Sequence, residues 1–198
     1  MLLASTALSG ASYAQDTWTG LYVGASGGFA WLDADSEKLG NPRPDVSVDG
    51  FLFGVQAGYN MQLDKIVLGV EGDIAFSEAD GNGYWFLPSG RPYNIDMNYL
   101  STIRGRAGMA FGETDNTLLY VTAGLAVADF DRGGANITHS SRTHTGFVVG
   151  LGAEHMLTDR ISISAEYDYL ALGKETYSTG ETVKFGGSTV EIGVNFHF

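Results

Sequence analysis

The last ten residues of the chain, Thr189-Val-Glu-Ile-Gly-Val-Asn-Phe-His-Phe198, alternate between apolar and polar side chains without a break. Successive side chains of a β-strand point to opposite faces, so this stretch predicts a strand with one apolar and one polar face. The apolar face carries five large side chains: Val190, Ile192, Val194, Phe196 and Phe198. Such a strand can separate a protein core from water, or lipid from a polar interior.

The same alternation recurs in seven earlier segments, which gives eight predicted strands in all. The earlier segments are residues 20–31, 51–61, 66–76, 99–109, 119–127, 147–155 and 161–169. After the first few residues, no stretch approaches the roughly 20 consecutive apolar residues that a membrane-spanning helix needs, whereas a spanning β-strand needs only about 10. An even number of strands is typical of bacterial membrane barrels.

The connections between these strands alternate in length. Short ones follow the second, fourth and sixth strands, at residues 62–65, 110–118 and 156–160. Long ones cover residues 32–50, 77–98, 128–145 and 170–182. Short periplasmic turns and long extracellular loops characterise membrane barrels, and aromatic residues near strand ends, Tyr22 and Tyr120 among them, suit girdles at the two lipid interfaces. The sequence therefore predicts an all-β, eight-stranded antiparallel up-and-down transmembrane β-barrel.

Composition limits the class of protein. The chain has 198 residues with 28 Gly and no Cys, which favours one domain and excludes disulfides and thiol chemistry. Its formal charge of -12 leaves no basic surface for phosphates, so nucleic acid is not an expected partner. Residues 1–10 are small and mostly apolar, and Ser12-Tyr13-Ala14 fits a signal-peptidase site. We expect a signal peptide at residues 1–14, truncated at its N-terminus because no Lys or Arg precedes Lys38, and a barrel domain at residues 15–198.

The inward faces of the predicted strands carry charged residues separated by glycines. The charged residues are Glu71, Asp73, Arg104, Arg106, Glu154, Glu166, Asp168 and Glu191. An eight-stranded barrel is just wide enough for side chains to fill it, so two arginines reaching across glycine gaps to carboxylates would form a plug of ion pairs. Six acids against two bases leave uncompensated charge, which needs water or protonation. A thin wet path is compatible with this interior, and a wide pore is not.

A soluble lipocalin-like barrel is the rival fold, because it too has eight antiparallel strands and an export signal. It would need its charged, glycine-rich faces in water and large apolar side chains in its interior. The alternating loop lengths and the C-terminal Phe198 favour the membrane barrel instead.

Several sequence motifs resemble a known family. They include Trp18-Thr-Gly-Leu-Tyr-Val-Gly-Ala25, Ser101-Thr-Ile-Arg-Gly-Arg-Ala-Gly108, Leu118-Leu-Tyr-Val-Thr-Ala-Gly124, Ala165-Glu-Tyr-Asp-Tyr169 and Asn195-Phe-His-Phe198. Together they resemble the small eight-stranded outer-membrane proteins called outer-membrane immunogenic or porin-family proteins, which are related to the transmembrane domain of outer-membrane protein A.

The resemblance implies a location and partners. The protein would lie in the outer membrane of a Gram-negative bacterium, in contact with lipid and lipopolysaccharide. Val194, Phe196 and Phe198 would be the signal read by the barrel-assembly machinery. Most such proteins are structural or antigenic envelope components without enzyme activity, and some relatives bind haemin at the cell surface.

The second long loop is the best candidate for ligand binding. Exposed aromatic residues often mark ligand contacts, and this loop carries Tyr84, Trp85, Phe86 and Tyr93. The third long loop adds His139 and His144 as candidate ligands to haem iron. The alternative is that these rings fold back on the barrel rim or enter the outer leaflet. No metal-ligand spacing predicts a permanent metal site or cofactor.

Two further functions stay open beside the structural or antigenic role. One is haemin binding through the extracellular loops, and the other is a narrow ion-conducting porin. Residues of the types found in hydrolases lie close together at His139, Ser140, His144 and Asp131, but loop composition accounts for them equally well. If Arg104 and Arg106 form the plug of a porin, replacing them with alanine should raise conductance.

Overall fold

The computed structural model describes residues 17–38, 41–42, 46–84, 92–134, 140–176 and 182–198. The predicted signal peptide, residues 1–14, lies outside these residues. None of the described residues forms a helix long and apolar enough to cross a membrane.

Ten strands make up the described structure. They are β1 Gly20–Lys38, β2 Asn41–Pro42, β3 Val46–Leu63, β4 Ile66–Ser77, β5 Asp80–Tyr84, β6 Pro92–Phe111, β7 Thr117–Gly134, β8 Ser140–Met156, β9 Ile161–Thr176 and β10 Thr182–His197. Eight of them form a ring in the order β1, β3, β4, β6, β7, β8, β9, β10, and every neighbouring pair is antiparallel. The ring closes because β1 pairs with both β10 and β3. The predicted eight-stranded antiparallel barrel is confirmed.

The two remaining strands are short additions to the extracellular end. β2 pairs with the last residues of β1, and β5 pairs with β6 and, through a single residue, with β3. The three periplasmic turns lie where the sequence predicts them. The first has only two residues, Asp64 and Lys65, and Asp64 adopts a φ of 58°, which Asp tolerates better than most residues.

The long connections differ from the prediction, because strands replace much of the predicted loops. β6 and β7, for example, continue from residue 92 to residue 134 across a turn at residues 112–116. The strand prediction follows apolar residues on the outward face, and it stops where that pattern ends. The backbone continues as a strand beyond this point because side chains still alternate in polarity, with the polar ones now facing outward and the apolar ones inward.

The inversion divides the barrel into two tiers. In the lower tier the outward side chains are apolar, from Leu21 and Val23 in β1 to Ile192 and Val194 in β10. In the extracellular tier the exposed outward side chains are polar and the inward ones form an apolar cluster. The exposed polar residues include Asp33, Ser47, Asp49, Asp96, Asn98, Thr143 and Thr145. The lower tier has the lipid-facing surface of a membrane barrel, and the extracellular tier has the surface of a soluble one.

Large aromatic side chains mark the boundary between the tiers. Trp31, Phe51, Phe76, Phe147 and Tyr169 are exposed on the outer wall. The sequence suggests that Tyr22 and Tyr120 belong to an aromatic girdle. In the structure both side chains point inward and are only 1% and 6% exposed. Their neighbours Leu21 and Val121 take the outward positions.

Candidate functional site: the filled lumen

The interior of the barrel is built from three layers. The outer plug is the apolar cluster Ala30, Leu32, Val48, Leu52, Ala75, Ala79, Met97, Leu100, Ala126, Ala128, Phe130, Val148, Leu170 and Leu172. The periplasmic plug is the cluster Trp18, Val67, Ala110, Leu118, Tyr120 and Met156. Between them lie the eight charged residues singled out in the sequence, which we call the charged belt. Hydrophobic burial closes the barrel above and below this belt.

Arg104 is the centre of the upper part of the belt. Its Nη2 donates to Glu71 Oε1 at 2.8 Å, and its Nη1 donates to Asp168 Oδ1 at 3.0 Å and to Glu166. Asp73 lies 3.4 Å from the same guanidinium. One buried arginine therefore lies within ion-pair distance of four carboxylates, two on the neighbouring strand β4 and two on β9 across the lumen.

Arg106 is the centre of the lower part. Its Nη2 donates to Glu154, and its Nη1 donates to the Tyr22 hydroxyl at 3.3 Å. The guanidinium lies 3.6 Å from the ring centroid of Tyr120, a cation–π contact. Tyr22 in turn donates to Glu71 at 2.5 Å, so one tyrosine links the two arginine centres. The belt is a single connected network across the lumen.

Glu191 joins this network least directly. Its Oε2 accepts a hydrogen bond from Ser26 at 2.8 Å, and no arginine among the described residues lies within ion-pair distance of it. Asp73 accepts from Thr102 and is half-buried. Of the eight predicted belt residues, seven form ion pairs with one another, and Glu191 lies at the same level without one.

Glycines stand directly opposite the charged residues in the register. The cross-strand pairs are Glu71 with Gly58, Arg104 with Gly124, Glu166 with Gly152, Asp168 with Gly150 and Glu191 with Gly28. A Cβ on Gly124 would collide with the backbone oxygen of Ile103 and with Arg104. The narrow lumen therefore holds long side chains because their cross-strand neighbours have none.

Little empty space is left between the layers. A cavity of about 10 Å³ lies where the belt meets the outer plug. It is lined by Asp73, Leu100, Thr102, Arg104, Val148, Asp168, Leu170, Thr189 and Glu191. A space of this size holds roughly one water molecule, so the described lumen is filled rather than open.

Trp18 closes the periplasmic mouth, a role that sequence reasoning missed. Its backbone N–H donates to Gln62 Oε1 at 3.1 Å, and its indole Nε1 donates to the carbonyl of Asp115 at 2.7 Å. Asp115 lies in the turn between β6 and β7, on the far side of the barrel from β1. The chain before β1 thus crosses beneath the lumen. Trp18 has the same parity as the inward-facing Tyr22. This shared parity is the sequence signal that could have indicated its position beneath the lumen.

A serine, a histidine and a glutamate meet at the lower end of the belt. Ser162 Oγ lies 3.0 Å from His197 Nε2, and Glu154 lies 3.4 Å from the same nitrogen. The Ser162 hydroxyl donates its hydrogen bond to Glu154, and all three side chains are buried. His197 is covered by the rings of Trp18 and Tyr22. The cluster has no access for a substrate, which a nucleophilic site needs.

The structure gives less support to the candidate ligand-binding residues of the second and third long loops. His144 is 0% exposed and packs edge-on against Phe130 inside the extracellular tier, so its side chain lies inside the barrel rather than on the surface. It lies opposite Ala128 in the register, at an inward position that the extended β7–β8 hairpin creates. Trp85, Phe86 and His139 lie outside the described residues, and the structure describes only the backbone of Tyr84 and Tyr93, in β5 and β6.

The C-terminal residues lie on the lipid-facing wall. Val194, Phe196 and Phe198 are exposed in the outward positions, and the rings of Phe196 and Phe198 contact edge to face. Phe198 is held by its N–H, which donates to the carbonyl of Leu21 at 3.0 Å. In the described part of the chain, no group of three or more His, Asp or Glu residues is arranged to hold a metal ion.

A closed eight-stranded barrel with an apolar outer band and a filled, charged interior defines a small outer-membrane β-barrel protein. Comparison with known proteins supports this class. Residues 1–198 match the model of the outer membrane protein beta-barrel domain, and the chain belongs to this family.

Two relatives and one solved structure indicate the place of the chain within that class. It is 32% identical to the 31 kDa outer-membrane immunogenic protein of Brucella melitensis biotype 1, over 91% of this chain and 80% of the relative. It is 30% identical to the 22 kDa outer membrane protein of Rhizobium leguminosarum bv. viciae, over 92% and 79%. The crystal structure of Neisserial surface protein A is similar in fold, with a TM-score of 0.51 and 22% identity over 91% and 98%. The protein is located in the outer membrane, in contact with its lipid.

Proposed function

We propose that the protein is a structural and antigenic component of the outer membrane that neither conducts ions nor catalyses a reaction. The observation that carries this proposal is the filling of the lumen by two apolar plugs and a charged belt. A porin needs a continuous aqueous path, and buried Leu100, Val148 and Leu170 lie across the lumen directly above the belt. Haemin binding is not part of the proposal.

The antigenic role is supported by the extracellular tier. Its apolar core and polar outer wall make it a solvated extension of the barrel beyond the aromatic boundary. Antibodies and other proteins would reach the polar outer wall of this tier, which carries exposed Asp33, Asp49 and Asp96. The name of the Brucella melitensis relative, an outer-membrane immunogenic protein, agrees with such exposure.

Assembly by the barrel-assembly machinery is part of the same proposal. Val194, Phe196 and Phe198 form an apolar row at the end of β10, on the outer wall and beside the seam with β1. An assembly factor could contact this row before the β1–β10 seam closes. A hydrolytic role is not proposed, because the buried Ser162 and His197 have no accessible space beside them.

Labelling of single cysteines tests whether the extracellular tier is displayed on the cell surface. The chain has no Cys, so each variant carries one thiol. Asp96→Cys places it on the exposed outer wall of β6, and Asp159→Cys places it in the exposed periplasmic turn before β9. With a membrane-impermeant maleimide on intact cells, we expect Asp96→Cys to be labelled and Asp159→Cys to stay unlabelled.

Both variants should be labelled equally after the cells are lysed, which controls for reactivity. Labelling of Asp159→Cys on intact cells at the rate of Asp96→Cys would contradict the proposed orientation. It would also remove the support for display of the extracellular tier.

A further inference from the structure

The upper belt contains more carboxylates than its single arginine can compensate. Glu71, Asp73, Glu166 and Asp168 all lie within ion-pair distance of Arg104. Arg106 is engaged with Glu154 below. Adding Glu191, five carboxylates share the surroundings of one guanidinium, which leaves a charge of -4 if every one is ionised.

Three of these carboxylates lie on one face of two neighbouring strands. Glu166 and Glu191 are direct partners in the β9–β10 register, and Asp168 is two residues from Glu166 on the same face. Like charges placed directly opposite each other on a sheet destabilise it. We call Glu166, Asp168 and Glu191 the carboxyl triad.

The surroundings of the triad offer it few cations and little water. Arg104 reaches Glu166 and Asp168 but not Glu191. Among the described residues, the other groups facing the triad are Ser26 on the neighbouring strand β1, and Asp73 on β4 with Tyr120 and Thr122 on β7 from farther around the barrel. The cavity beside Asp168 and Glu191 holds about one water molecule, and the apolar plugs close the lumen above and below.

Two buried polar groups beside the triad lack a hydrogen-bond partner among the described residues. They are Thr122 Oγ1 and Arg104 Nε. Thr122 is 4% exposed, and a Cβ built on Gly150 would meet both its hydroxyl and Asp168 Oδ1, so the two oxygens lie close to one point. Buried hydroxyl groups normally have a partner, and a protonated Asp168 carboxyl group would donate to the Thr122 hydroxyl oxygen.

We propose that Asp168 and Glu191 hold protons at neutral pH and that they act, beside Glu166, as a pH-sensitive element of the barrel wall. A protonated carboxyl group donates a hydrogen bond to a neighbouring carboxylate, which turns repulsion between Glu166, Asp168 and Glu191 into attraction. The folded barrel then binds more protons than the unfolded chain, in which these groups ionise freely. Because stability falls with rising pH wherever the folded state binds more protons, alkaline pH loosens the β9–β10 region.

The test uses the double variant Asp168→Asn with Glu191→Gln, which keeps the shape of both side chains and removes their titration. The unfolding midpoint of the refolded wild-type barrel in detergent should fall by at least about 3 °C between roughly pH 6 and pH 9, where exposed carboxyl groups stay ionised. The double variant should show little of this fall and should exceed the wild type at the higher pH. Asp49→Asn, on the exposed outer wall of β3, is the matched control and should behave as the wild type.

Infrared spectroscopy supplies a second measurement that does not depend on unfolding. The wild type at neutral pH should show the carbonyl stretch of a protonated carboxyl group, the Asp49→Asn control should keep it, and the double variant should lose most of it. A wild type without this band, or a pH dependence that the double variant retains in full, would overturn the proposal.

Discussion

Replacing Arg104 with alanine should lower the free energy of unfolding by about 3–5 kcal/mol, the range observed when one partner of a buried ion pair is removed. Arg104 is buried and donates hydrogen bonds to Glu71, Glu166 and Asp168. Without it, the described part of the chain offers these carboxylates no cation nearby except Arg106, which lies 4.0 Å from Glu71. Urea unfolding of the barrel refolded in lipid vesicles, followed by tryptophan fluorescence, measures the loss.

Arg160→Ala provides the control for this substitution. Arg160 lies exposed in the periplasmic turn before β9, so its removal should leave the unfolding curve unchanged. If Arg104→Ala fails to refold, Arg104→Lys gives a measurable intermediate, because an ammonium group keeps the charge but not the forked geometry. Equal stability of Arg104→Ala and Arg160→Ala would show that the belt does not depend on its central arginine.

Replacing Gly124 with alanine should destabilise the barrel by about 1–3 kcal/mol, the usual cost of overpacking. Gly124 lies opposite Arg104, and the added methyl group would collide with the backbone oxygen of Ile103 and the Cα of Arg104. Backbone atoms cannot rotate away as the end of a side chain can, so β6 and β7 must separate. The same unfolding assay measures the effect.

Gly105→Ala is the matched control on the neighbouring register pair. Gly105 lies in β6 on the outer wall, opposite Ala123, and a Cβ there meets nothing nearer than 3.8 Å. This variant should be as stable as the wild type or slightly more so, because alanine has less freedom to lose than glycine. Equal stability of the two variants would show that inward glycines do not provide the space for the charged belt.

The strands of the lower tier could be predicted because lipid and lumen impose opposite polarities on alternate residues. Leu21 and Val23 point outward and Tyr22 points inward, as period two requires. Parity also predicts that Arg104 and Glu71 share the inward face, and the two residues are direct cross-strand partners in the register of β4 and β6.

The extracellular tier could not be predicted from the same rule. Above the boundary the outward face meets water, so Asp33 and Asp49 replace apolar residues and Leu32 and Val48 turn inward. A strand prediction that relies on an apolar outward face therefore assigns a loop where the strand continues. The burial of His144 follows from this continuation, and the closure by Trp18 depends on a contact 97 residues away in the sequence.

Single-channel recording shows whether the lumen is filled along its described length. Purified barrel inserted into planar lipid bilayers should give no discrete conductance steps above those of the bare bilayer. The Arg104→Ala and Arg106→Ala double variant, if it inserts, should stay silent too, because Leu100, Val148 and Leu170 still close the lumen. Reproducible conductance steps from the wild-type protein would show a water-filled path through the lumen and restore the narrow porin as its function.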